Sequence, residues 1–88
     1  MKHSEAVNVK VGQTLYFSRG FNADGSPQRW KVNGKVRRWK RDSLRLEIPV
    51  KHGLYDYAVV KTADLPYFFL SEKDAEDFYG KEAYQYND

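Results

Sequence analysis

Short strand-like segments separated by turn residues constrain the fold of this chain more than any other feature. In the clearest segment, 44–48, three aliphatic residues alternate with Arg45 and Glu47, and Pro49 follows. A period of two is typical of a strand with one buried face, and Pro49 is expected to end it. Similar patterns predict strands at 7–11, 14–18, 28–32, 35–40, 54–61 and 66–70. The sequence between 19 and 27, rich in Gly, Asn, Asp and Pro, predicts a loop.

The C-terminal part predicts one helix, which begins at Ser71. Asp74 follows three residues later, the spacing of a capping box, and acidic side chains in the first turn suit the helix dipole. Gly80 is the expected stop. The face turned to the body of the protein would carry Ala75, Phe78 and Tyr79.

These elements predict a mainly β protein, either a small SH3-like antiparallel barrel or a strongly bent sheet of five to seven short strands with one C-terminal helix. An OB-fold is disfavoured because its helix usually falls between the third and fourth strands, where this chain shows no helical pattern. The length of 88 residues suits one domain, and an aromatic content of 16% favours a compact fold. We expect a single β-barrel domain over 1–80 and a polar tail over 81–88.

The residue types present argue against several kinds of chemistry. The chain has no cysteine, which suits a reducing cytoplasm, and we expect no signal peptide and no membrane partner because long apolar runs are absent. His3 and His52 are the only histidines, and no carboxylates flank them at the spacing of metal ligands. Neither a nucleophile motif nor a glycine-rich phosphate loop is found. We therefore expect a cytoplasmic protein that is not an enzyme and that needs no metal or cofactor.

Charge is unevenly distributed along the chain. The net charge is +3, but residues 29–61 hold ten Lys and Arg against three acids, whereas 62–88 hold two against seven. A strongly basic centre favours an anionic partner.

The Asn33-Gly34 pair lies inside this basic centre and predicts a two-residue hairpin, because both central positions of a type I′ turn require positive φ. Val32 would then pair with Lys35, and Trp30 with Arg37. Directly opposed residues share a face. One face would carry Trp30, Val32, Lys35, Arg37 and Trp39, and the other Arg29, Lys31, Val36 and Arg38.

This segment has two interpretations. It could bind DNA or RNA, largely independently of sequence, with rings stacked on bases and cations on phosphates, or it could be a core hairpin whose cations simply face solvent. We expect Trp30 in the core and Trp39 as the stacking ring, although a bulge near Arg37-Arg38 would change the face that Trp39 joins. The candidate nucleic-acid-binding residues are Arg29, Lys31, Lys35, Arg37, Arg38, Trp39, Lys40, Arg41 and Arg45.

The segment 32–57 resembles small uncharacterised proteins of tailed bacteriophages. The resemblance is carried by Asn33-Gly34-Lys35, by Trp39-Lys40-Arg41 and by the sequence from Pro49 to Tyr55. The segment from Val11-Gly12 to Arg19-Gly20 resembles the KOW-type opening of SH3-like barrels that contact RNA or ribosomal and transcription proteins. The first resemblance implies a phage early or accessory protein that acts in the host cytoplasm, and it assigns no role to any residue.

A different class of function stays open. The chain could be a phage-encoded interaction module that binds and modulates or inhibits a host protein. Its anchor would be an exposed aromatic cluster, with the basic segment as a rim. The cluster would comprise Tyr55, Tyr57, Tyr67, Phe68, Tyr84 and Tyr86. A homodimer through the aromatic edge at 66–70 is a variant of this hypothesis.

Overall fold

The computed structural model describes residues 1–78 and shows six antiparallel strands. The strands are β1 (Thr14–Phe21), β2 (Pro27–Val32), β3 (Arg37–Arg38), β4 (Leu46–His52), β5 (Asp56–Lys61) and β6 (Phe68–Phe69). A helix, α1 (His3–Ala6), precedes them, a 3₁₀ helix (Thr62–Tyr67) joins β5 to β6, and a further helix, α2, covers 72–78. No helix of the described part is long and apolar enough to cross a membrane.

The strands form one sheet in the order β6-β1-β2-β4-β5. The short strand β3 pairs with the same side of β4 as β2, but with the other end of β4. The strands β5 and β6 therefore lie at opposite edges, although a single 3₁₀ helix connects them. In the described residues these two edges do not pair, so the sheet is bent rather than closed. The mainly β, antiparallel fold predicted from the sequence is confirmed in this form.

The core lies on one face of the sheet. Leu46, Ile48 and Val50 alternate along β4 and are almost completely buried, together with Leu15 from β1 and Val60 from β5. On the same side the rings of Phe17 and Phe68 stack with their centres 4.8 Å apart. The Met1 amine donates hydrogen bonds to the carbonyls of Leu65 and Phe68, and burial lowers the pKa of this amine.

The predicted strand at 7–11 is wrong. The helix α1 ends at Ala6, and the following residues form turns in which Val9 is buried and Val11 is 61% exposed. The side chain of Glu5 accepts a hydrogen bond from the Lys2 backbone at 2.8 Å, which caps this short helix. Val7 and Val9 thus pack against the core from turns rather than from a pleated strand, and Val11 faces solvent.

The predicted Asn33-Gly34 hairpin is also wrong. The strands β2 and β3 both pair with β4 and not with each other, and no non-glycine residue among those described has positive φ. Val32 pairs with Val50 and Arg37 pairs with Glu47. The chain therefore advances five residues from β2 to β3 while β4 advances only three, so 33–36 form a bulge with two extra residues.

The strand β4 runs through Pro49, contrary to the predicted end. Pro49 has no N–H to donate, and it lies opposite the bulge, where its carbonyl accepts a hydrogen bond from the Asn33 N–H at 2.8 Å. Proline is tolerated at such a position because the ladder is interrupted there.

Other boundaries differ less. The strand β1 continues to Phe21 through part of the predicted loop, β5 begins at Asp56 after a turn, and Pro66 lies in the 3₁₀ helix, which leaves two residues for β6. The predicted C-terminal helix is confirmed: the Asp74 N–H donates to the Ser71 hydroxyl at 3.2 Å, and Ala75 is buried. The predicted stop at Gly80, the contact of Tyr79 and the tail 81–88 lie outside the described residues.

Candidate functional site

The face of the sheet opposite the core, called here the outer face, is strongly basic. Along β4 the buried residues alternate with Glu47, Pro49 and Lys51, which point away from the core. Strand register extends this face to the neighbouring strands: Lys51 lies between Lys31 on β2 and Tyr57 on β5. The outer face carries the cations Arg29, Lys31, Arg37, Arg45, Lys51 and Lys61, and the aromatic residues Tyr16, Trp39, Tyr57 and Phe69.

Lys31 and Lys51 are directly opposed across β2 and β4. Like charges in this arrangement destabilise a sheet, and no described carboxylate forms an ion pair with either lysine. They line a groove of about 350 Å³ together with Thr14, Arg29 and Gly53. An anion in this groove would relieve the repulsion.

Neighbouring contacts fix the position of Arg29 at the groove. Its guanidinium forms an ion pair with Glu72 of α2 at 3.2 Å and lies 6.0 Å from the centre of the Tyr16 ring. Its backbone carbonyl contacts Nδ1 of His52 at 3.1 Å. The His52 ring is tilted against Trp30, with the ring centres 5.0 Å apart. His52 is therefore a half-buried link between β2 and β4.

A second basic cluster surrounds Trp39. The guanidinium carbons of Arg37 and Arg45 lie 4.8 and 4.0 Å from the centre of its ring, distances typical of cation–π contact. Thr62 fixes the backbone on both sides of Arg45, because its hydroxyl accepts from the N–H of residue 46 and donates to the carbonyl of residue 44, both at 3.0 Å. Beside the indole lies a groove of about 310 Å³ that Arg38, Lys40 and Ser43 also line.

The structure brings together part of the predicted set. Four predicted cations (Arg29, Lys31, Arg37 and Arg45) share the outer face with Trp39. Of the remaining predicted residues, Arg38, which pairs with buried Leu46, and Lys40 line the groove beside the Trp39 indole, whereas Lys35 lies in the bulge and Arg41 in the loop before β4. Trp30 packs against the core, as predicted.

Sequence reasoning missed Lys51, Tyr57 and Tyr16 as members of this surface. The signal for Lys51 was present, because the alternation of Leu46, Ile48 and Val50 places odd-numbered residues on the outer face. Ending the predicted strand at Pro49 concealed it.

The aromatic cluster predicted for a protein partner is not one exposed surface. Tyr55 and Tyr57 are 87% and 62% exposed, but Phe68 is buried. The guanidinium of Arg19 lies 3.9 Å from the centre of the Tyr67 ring. Tyr84 and Tyr86 lie outside the described residues.

Comparison of the chain with protein families, with curated proteins and with solved structures finds no match. Within residues 1–78, no group of three or more His, Asp and Glu side chains could hold a metal ion. The geometry of the outer face is therefore the main indication of function.

Proposed function

We propose that the outer face binds nucleic acid, largely independently of sequence. The observation that carries this proposal is the strand register. It places cations from two separate basic segments, 29–31 and 37–45, on the same face of the sheet and adds Lys51 from β4 to them. A surface of this kind recognises the property that all nucleic acids share, a regular row of phosphates.

The charge on this face favours a polyanion over a small ligand. Among the outer-face positions paired in the described sheet, Glu47 is the only acid, and it is flanked by Arg37 and Lys61. The cations are spread over β2, β3, β4 and β5 rather than concentrated at one point. Both basic grooves are open to solvent, so a chain bound in them could continue beyond their ends.

Exposed rings on the same face add a second kind of contact. Aromatic side chains stack on bases of any sequence, and cations beside them track the backbone. Tyr57 is 62% exposed, with Nζ of Lys51 5.2 Å from the centre of its ring.

Such a protein would act in the cytoplasm, which is the host cytoplasm if the chain is phage-encoded.

The test compares two double variants of equal net charge. Lys31→Gln with Lys51→Gln removes the two opposed lysines from the groove, whereas Lys10→Gln with Lys73→Gln removes two exposed lysines outside the paired sheet. Affinity for labelled mixed-sequence DNA and RNA is measured over a series of salt concentrations. The groove variant should reduce the slope of log K against log salt by about 1.4, from roughly 0.7 per contact with a single strand.

Equal slopes for the two double variants would refute the proposed surface. Wild-type protein that binds neither DNA nor RNA at low salt would refute the function itself.

A second candidate function is binding to a host protein. The turn between β4 and β5 favours it, since it presents Leu54 and Tyr55 with 73% and 87% of their surfaces exposed. Exposed apolar residues at such a turn suit the anchor of a protein interface. If Leu54→Ser with Tyr55→Ser abolishes recovery of one stoichiometric host protein from nuclease-treated lysate, while nucleic-acid binding is unchanged, this function gains support. Recovery of no such protein by the wild type would count against it.

A further inference from the structure

We infer that the outer face takes a single strand rather than a duplex, and that the strand crosses the sheet between Tyr16 and Tyr57. This inference rests on the proposed function. Beyond the proposed function, it identifies the ligand as single-stranded nucleic acid and assigns Tyr57 as the ring on which a base stacks.

The spacing of side chains across the sheet suits an unpaired strand. Lys31 and Lys51 are direct partners, Tyr57 follows Lys51 on β5, and Tyr16 lies on β1 beside Arg29. Tyr16 and Tyr57 lie on strands three spacings apart, roughly 14 Å at about 4.8 Å each, and Tyr16 lies two residues along β1 from the row that Lys31, Lys51 and Tyr57 share. Both lysines lie on the strands between the two rings. Sheets that present aromatic residues in this way stack about two or three unpaired bases.

Tyr57 is better suited to stacking than Trp39. The indole of Trp39 already contacts the guanidinium groups of Arg37 and Arg45, so a base there would have to displace a cation. Among the described residues Tyr57 has one cation over its ring, Lys51, and the residue is 62% exposed. A duplex keeps its bases paired and stacked inside the helix, so it would use the lysines and leave this exposed ring without a base.

The experiment measures binding of one mixed sequence as single-stranded DNA, single-stranded RNA and duplex DNA, by fluorescence anisotropy at fixed low salt. The variants are Tyr57→Ala, Tyr57→Phe and, as the matched control, Tyr55→Ala in the adjoining turn. Tyr57→Ala should weaken single-strand binding about 5- to 150-fold, from a stacking contribution of about 1–3 kcal/mol per base. Tyr57→Phe and Tyr55→Ala should bind single strands like the wild type, and duplex binding should not change with Tyr57→Ala.

Two results would overturn the inference. One is wild-type binding to duplex that equals or exceeds binding to both single strands. The other is a Tyr57→Ala variant that keeps its single-strand affinity while Lys31→Gln with Lys51→Gln loses it, which would leave the proposed function standing with phosphate contacts alone. Because Tyr57 is exposed on an edge strand, all these variants are expected to fold, and thermal unfolding checks this directly.

Discussion

Replacing Lys31 by Glu should make the protein more stable and a weaker binder of nucleic acid. Lys31 is exposed and directly opposite Lys51, so the native pair is repulsive. Cross-strand charge pairs contribute about 0.2–1 kcal/mol, with the sign set by the charges. Lys31→Gln removes the repulsion, and Lys31→Glu replaces it with attraction. Because the pair is exposed, we expect a gain in unfolding free energy of about 0.5 kcal/mol for Lys31→Glu, or roughly 2–4 °C in Tm.

The same substitution should reduce affinity, because it removes one phosphate contact and places a negative charge in the groove. The slope of log K against log salt should fall in magnitude by about 0.7–0.9, the value expected for one lost phosphate contact. Stability and affinity thus change in opposite directions. This is the behaviour expected of a surface whose charge repulsion serves a ligand and not the fold.

The assay is urea unfolding followed by tryptophan fluorescence, at about 0.02 M and about 0.5 M salt, since screening should remove most of the gain at the higher concentration. Lys10→Glu is the control, because Lys10 is exposed and lies outside the paired strands. In a Lys51→Gln background the gain from Lys31→Glu should vanish. If Lys31→Glu lowers the free energy of unfolding, or if its gain persists with high salt and without Lys51, the argument from opposed charges is refuted.

Three further substitutions test the fold by the same unfolding assay. Asn33→Ala should change stability by less than about 0.5 kcal/mol, because Asn33 lies in a bulge and does not have positive φ. In a type I′ turn the same substitution would be more destabilising, because that turn requires positive φ at this position. Gly53→Ala should cost about 1–2 kcal/mol from backbone strain alone, since φ is +68° and a Cβ would meet no atom within 4 Å. Ile48→Ala should cost about 2–5 kcal/mol because Ile48 is fully buried, and a smaller loss would place the core elsewhere.

Sequence alone predicts those elements in which local pattern and tertiary packing agree. The alternation around Leu46 and Ile48 identifies β4 and its buried face, and Ser71 with Asp74 identifies the start of α2. In both places the residue types that favour the element also make its main contacts. The mainly β class follows from these and from the other short apolar segments.

The errors occur where a distant contact outweighs the local pattern. The valines near the N-terminus alternate like a strand, but no strand within the described residues pairs with them, and the Met1 amine instead contacts backbone carbonyls from Leu65 and Phe68. The apolar pattern at 66–70 predicts a strand that starts at Pro66, yet Pro66 lies in the 3₁₀ helix that connects opposite edges of the sheet. Neither arrangement can be read from neighbours in sequence.

The bulge at 33–36 explains why the basic surface could not be derived from the hairpin hypothesis. A two-residue hairpin turns the chain back, so Arg37 and Trp39 would share a face with Trp30, and the cations would be divided between two sides. A bulge with two extra residues keeps the chain running along β4 and preserves the alternation, so odd-numbered residues before and after it point the same way. Arg29 and Lys31 thereby join Arg37 and Trp39 opposite the core. The residues that predict a hairpin instead keep Arg29, Lys31 and Arg37 on one surface.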